Sequence, residues 1–111
     1  MKALAFGLLA LATSAFAITG NDLYRDLQKP TSSIEGITTL AYLRGFLDAN
    51  AIYEIRAKRE GYIAAFCMPP GATMTQTRDV LKQYLHDNPA KRHLDAGVLA
   101  YSALGTAWPC R

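Results

Sequence analysis

The side chains with the widest chemical reach in this sequence are two cysteines, Cys67 and Cys110, and two histidines, His86 and His93. A cysteine thiolate beside an imidazole base would be a nucleophile of the kind hydrolases use. The same four residues could in principle bind zinc. Neither pair, however, has the C-x-x-C or H-x-x-x-H spacing that puts two ligands on one metal. No metal site and no other cofactor is expected. The acid–base spacings are Arg44 to Asp48 and Asp87 to His93, both ordinary in a helical protein. The choice between a reactive thiolate and a disulfide therefore rests on the compartment.

The N-terminus speaks to that choice. Met1-Lys2 is followed by an apolar run from Ala3 to Ala12, then Thr13-Ser14-Ala15-Phe16-Ala17. One positive charge, a run of this length and small residues at Ala15 and Ala17 have the layout of a secretory signal peptide. Cleavage is expected between Ala17 and Ile18, leaving a single domain over 18–111. The run is shorter than the roughly 20 apolar residues a membrane span needs, so no membrane anchor is expected after cleavage. Loss of Lys2 takes the formal net charge one unit below the +3 of the full chain, too slight a balance to suggest nucleic acid as partner. In an exported chain an even cysteine count favours a disulfide between Cys67 and Cys110. Closing that loop should stabilise a small domain by about 4 kcal/mol. With the thiols joined, no catalytic residue stands out, and the chain is not expected to be an enzyme.

These residues are carried by a helical framework. Asn21 or Asp22 can cap a short first helix bearing Leu23, Tyr24 and Leu27, which ends before Pro30. Ser32-Ser33-Ile34-Glu35 can form a capping box, with Ser32 as cap. A long helix is expected from there to about Arg56, with Ile34, Ile37, Ala41, Gly45, Ile52 and Ile55 on its apolar face, widened by Tyr42, Ala49 and Tyr53. Arg44 and Asp48, four apart at the edge of that stripe, are expected to form a partly buried structural ion pair. Tyr62 to Cys67 is either extended or a further half-turn of helix, and Met68-Pro69-Pro70-Gly71 is irregular. Thr73 to Gln76 is a second capping box, opening an amphipathic helix with Thr77, Val80, Leu81, Tyr84 and Leu85 on one side. Asn88-Pro89 ends it. After a polar joint through Lys91, Arg92 and His93, a last helix from about Leu94 to Ala107 is apolar nearly all round and should be the most buried. The expected fold is all-α: three main helices plus a short N-terminal one, closed by one disulfide.

The order of motifs in the second half resembles the Rap/Tai immunity family. Cys67-Met-Pro-Pro-Gly-Ala-Thr opens a helix that ends Tyr84-Leu85. Asn88-Pro89 and Arg92-His93 follow, and Trp108-Pro109-Cys110 closes the domain. Tyr42-Leu-Arg-Gly45-Phe-Leu-Asp48-Ala49 stands where that family has a Gly-Tyr-x-x-Gly-x-x-Asp signature, with Ala41 in place of the first glycine. The likeness spans about Thr39 to Cys110 and lacks the second cysteine pair that many members carry.

The resemblance implies a periplasmic antidote that binds a peptidoglycan amidase effector of type VI secretion, and it implies a homodimer. Such an amidase would use a cysteine nucleophile and a histidine base, and a loop filling its cleft would suffice to block it. Asn88, Lys91, Arg92 and His93, polar and braced by helices on both sides, form the first candidate for that loop. The basic group Arg56, Lys58 and Arg59 is a second candidate patch, otherwise a solvated helix end. The competing class is a general envelope module, structural or chaperone-like, with no dedicated toxin partner.

Overall fold

The computed structural model describes residues 17–111. The expected leader thus lies outside the described residues, apart from Ala17. The described chain is all-helical: α1 (Gly20–Leu27), α2 (Ile34–Glu60), α3 (Met74–Asp87), a single 3₁₀ turn (Pro89–Lys91) and α4 (Ala96–Ala107). No described helix is long and apolar enough to cross a membrane.

Capping decides where each helix begins. Before α1 the cap is Thr19, not Asn21 or Asp22. Its hydroxyl accepts from the Asp22 amide at 3.3 Å, and the Asp22 carboxylate accepts from the Thr19 amide at 3.0 Å. Asp22 is the return arm of that box. The cap of α2 is displaced the other way, one residue later than expected. Ser33 Oγ accepts from the Gly36 amide at 3.1 Å and donates to the Pro30 carbonyl at 2.6 Å, so Ser32 is left in the turn. At its far end α2 runs past Arg56 to Glu60, because the left-handed residue that stops it is Gly61, at φ 79°. The capping box of α3 is as expected, with Thr73 and Gln76 bonding reciprocally at 3.1 and 2.8 Å.

The core is built on α4. Ala96, Leu99, Ala100, Ala103 and Leu104 are all buried, and α4 packs against α3 and α1. Facing it are Leu81 and Leu85 of α3 and Leu23 and Leu27 of α1. Small residues let neighbours come close: a Cβ on Gly105 would stand 2.9 Å from the Ala65 carbonyl oxygen. The segment from Tyr62 to Cys67 is neither helix nor strand. It crosses α4 as irregular chain with a bend at Ala65, burying Ala64 and Phe66 while Ile63 and Ala65 are exposed. Asn50, buried on α2, holds this segment by donating to the Phe66 carbonyl at 3.2 Å. The disulfide joins Cys67 to Cys110, with Cα atoms 4.9 Å apart, and among the described residues no cysteine is free.

The orientation of α2 overturns the expected apolar face. Its inner side is Gly36, Thr39, Leu43, Asn50 and Ala57, helped by half-buried Tyr42 and Phe46. Phe46 packs against Tyr101 at 4.8 Å and Phe66 at 5.9 Å between ring centres. The stripe expected to be buried faces water: Ile34 is 79 % exposed, Ile37 56 %, Ile52 63 % and Ile55 65 %. Ala41, Gly45, Ala49 and Tyr53 are exposed with them. Leu43 points into the core instead, with half-buried Phe46 and Leu47 packed beside it.

Candidate effector-binding loop

The joint between α3 and α4 owes its shape to Asn88 and Pro89. Proline at the start of the 3₁₀ turn cannot continue the α3 ladder. Asn88 turns back instead, its side-chain amide donating to the Tyr84 carbonyl at 2.8 Å. The turn then closes through Lys91 N–H to the Asn88 carbonyl at 3.1 Å and Leu94 N–H to the Lys91 carbonyl at 3.0 Å.

From outside, α1 clamps the joint. The Gly20 amide donates to Leu94 O and the Asn21 amide to Arg92 O, both at 2.8 Å. The Ala96 amide donates to Ile18 O at 2.9 Å, and Thr19 pairs with Asp95 as an isolated bridge. A side chain on Gly20 would collide with this seam, since its Cβ would lie 2.9 Å from the Arg92 carbonyl oxygen.

The four residues singled out from the sequence divide into two roles. Arg92 faces inward. Its Nε donates to Leu85 O at 2.6 Å and its terminal nitrogen to His86 O at 3.2 Å, satisfying carbonyls that α3 leaves open at its end. The guanidinium also lies 3.9 Å from the centre of the Tyr24 ring, a cation–π contact. Asn88 is half-buried and similarly committed. Lys91 and His93 are exposed and are the donors the loop offers to a partner. Beside them, exposed His86 lies 3.2 Å from Asp87. Hydrogen bonds from Gln83, and then His86, hold the Asp87 carboxyl below the usual carboxylate range. An open groove runs along the same edge, lined by Tyr24, Gln28, Asp79, Lys82, Gln83 and His86.

Arg44 and Asp48 do not form the structural pair expected of them. Both are exposed on the outer side of α2, and the ion pairs among the described residues are elsewhere: Arg25 with Asp22 and Asp26, Arg56 with Glu60, and His86 with Asp87. On this surface water solvates each charge by itself. In the second basic patch Arg56 is thus partly neutralised, while Lys58 and Arg59 are exposed. No cluster of three or more His, Cys, Asp or Glu that could hold a metal is found among the described residues.

Sequence reasoning did not find the Tyr24–Arg92 stack or the seam through Gly20, because both join parts of the chain far apart in order.

A family model described as Rap1a immunity proteins matches residues 19–110, from the cap of α1 to the closing cysteine. No curated protein and no solved structure matches the chain.

Proposed function

The chain belongs to the Rap1a immunity family, and from that premise we propose that it is a periplasmic antidote that binds and blocks a peptidoglycan amidase delivered by type VI secretion. The observation that carries this reading is the extent of the match, which takes in every described helix and both cysteines. The loop fits the task. Occluding a cleft needs a projection that does not collapse on contact, and this one is held by α1 on one side and by Arg92 beneath. Pre-ordering of this kind lowers the cost of binding. Lys91 and His93 would meet the amidase, with the groove beside Tyr24 and His86 extending the contact toward the roughly 1,600 Å² of a stable interface. Export is supported by the layout of Met1 to Ala17 and by the disulfide. The exposed apolar stripe of α2 supports a homodimer.

Two measurements test the reading. The product of the neighbouring gene, tested as the amidase, is expressed in the periplasm with and without this chain; protection from lysis is expected, and lysis at an unchanged rate would reject immunity. A Lys91→Glu/His93→Ala variant, which spares Arg92, should bind that amidase at least about tenfold more weakly, a loss of about 1.4 kcal/mol, with its melting temperature unchanged. Wild-type affinity in that variant would move the interface off this loop.

A further inference from the structure

The outer side of α2 carries a pattern with its own symmetry. Two rows run along it. Ile34, Ala41, Gly45 and Ile52 form one, and Ile37, Arg44, Asp48 and Ile55 form the other; all eight are exposed. The rows are mirror images in order about the midpoint between Arg44 and Gly45. Going outward from that point, Gly45 is matched by Arg44, Asp48 by Ala41, Ile52 by Ile37 and Ile55 by Ile34. Each match pairs a member of one row with a member of the other.

That is the arrangement two antiparallel helices need in order to pack layer by layer, since each layer takes one side chain from each row. A twofold axis through the midpoint would set Ile34 against Ile55 of a second copy and Ile37 against Ile52. The stripe spans about 32 Å of helix at 1.5 Å per residue, so all four apolar layers lie on one continuous contact.

Two further observations favour a second copy as the occupant. Among the described residues Gly45 has nothing within 4 Å of where a Cβ would be, so none of them requires a glycine there, although mid-helix glycine costs helix stability. At a dyad, the missing side chain leaves room for Arg44 of the second copy. Arg44 and Asp48 are also opposite charges in one row, one turn apart, and neither has an ion-pair partner among the described residues. Across the axis, Arg44 of each copy comes level with the turn between Gly45 and Asp48 of the other, and the charges are complementary.

We infer that the chain dimerises through an antiparallel, two-fold pairing of α2 centred between Arg44 and Gly45, with Arg44 of each copy bonded to Asp48 of the other. Such an interface is isologous, the commonest form among soluble homo-oligomers. The inference rests on the homodimer in the proposed function and deepens it by naming the face, the direction and the register. It leaves the loop at Lys91 and His93 free for the effector.

Light scattering and cross-linking of the exported protein test it. The mass should be that of a dimer. With a short bismaleimide, Gly45→Cys should cross-link to itself. Ile34→Cys alone and Ile55→Cys alone should not, whereas their mixture should. Arg44→Asp should weaken the dimer about tenfold by setting like charges together, and adding Asp48→Arg should restore it. A dimer in which Ile34→Cys links to itself would overturn the register and leave the homodimer standing. A monomer at every concentration would overturn both. If, in that monomer, Ile52→Glu also abolished capture of the amidase, the stripe would be the effector's seat.

Discussion

Helices α2 and α4 draw on the same apolar vocabulary and use it in opposite ways. In α4 five of twelve residues are buried, and the helix lies at the centre of the core. In α2 the buried residues include a glycine, a threonine and an asparagine, while four isoleucines face water. Isoleucine as a residue type shows the same division. Ile18, Ile34, Ile37, Ile52, Ile55 and Ile63 are all exposed, and the large core side chains are leucines and one phenylalanine. Apolar content therefore marks α4 as interior and α2 as a helix with two apolar sides, of which the fold uses one.

The comparison can be broken most forcefully at the disulfide, which ties the α3–α4 half together. Replacing both Cys67 and Cys110 by serine should cost about 4 kcal/mol in denaturant unfolding, from the entropy of the opened loop. A cost near zero would mean that packing alone holds α4 in place. Next come paired truncations. Leu104→Ala should destabilise the protomer by about 3 kcal/mol through the cavity it leaves. Ile52→Ala, measured at a dilution where any dimer has dissociated, should change stability by no more than about 0.5 kcal/mol. Equal losses at the two sites would show that the outer side of α2 is covered within the protomer.

The smallest effect is expected at the cap of α1, and it depends on pH. The Thr19 amide, then the Thr19 hydroxyl, lower the Asp22 carboxyl below its ordinary value, with Arg25 adding to the shift. A carboxyl lowered on folding stabilises the native state fully above its unfolded pKa, and that contribution is lost as pH falls through the folded one. The Thr19 amide resonance should accordingly move at acid pH, below the ordinary carboxylate range. Asp22→Asn should remove that step while leaving the rest of the spectrum in place.

Much of this fold was legible in the sequence, for local reasons. The α3 capping box, the break at Asn88-Pro89 and the burial of α4 follow from residues close together, and the Cys67–Cys110 bond from the even cysteine count and the export expected of the leader. The orientation of α2 did not, because a helical period reports that apolar residues share a side and is silent on which side meets the core. Leu43, Phe46 and Leu47 repeat inward with the same period as the isoleucines outward. At the loop, the choice of residues was legible but their division of labour was not. Arg92 reads like a free donor until α3's open carbonyls and the Tyr24 ring are placed around it. Arg44 and Asp48 had suitable spacing for an ion pair, yet exposure removes the gain from forming one.

The seam between Ile18–Asn21 and Arg92–Ala96 has a practical consequence for anyone handling the protein. A purification tag or fluorophore fused ahead of Ile18 would hang beside the very surface that Lys91 and His93 present, masking it from a partner. Trimming the chain back past Asn21 would do the reverse harm: it would strip the outer clamp from Leu94, Arg92 and Ala96 and let the joint between α3 and α4 wander, with no residue of that joint altered. Labels belong at the Arg111 end, on the far side of the disulfide from this edge in chain order, and binding assays need Ile18 to Asn21 intact.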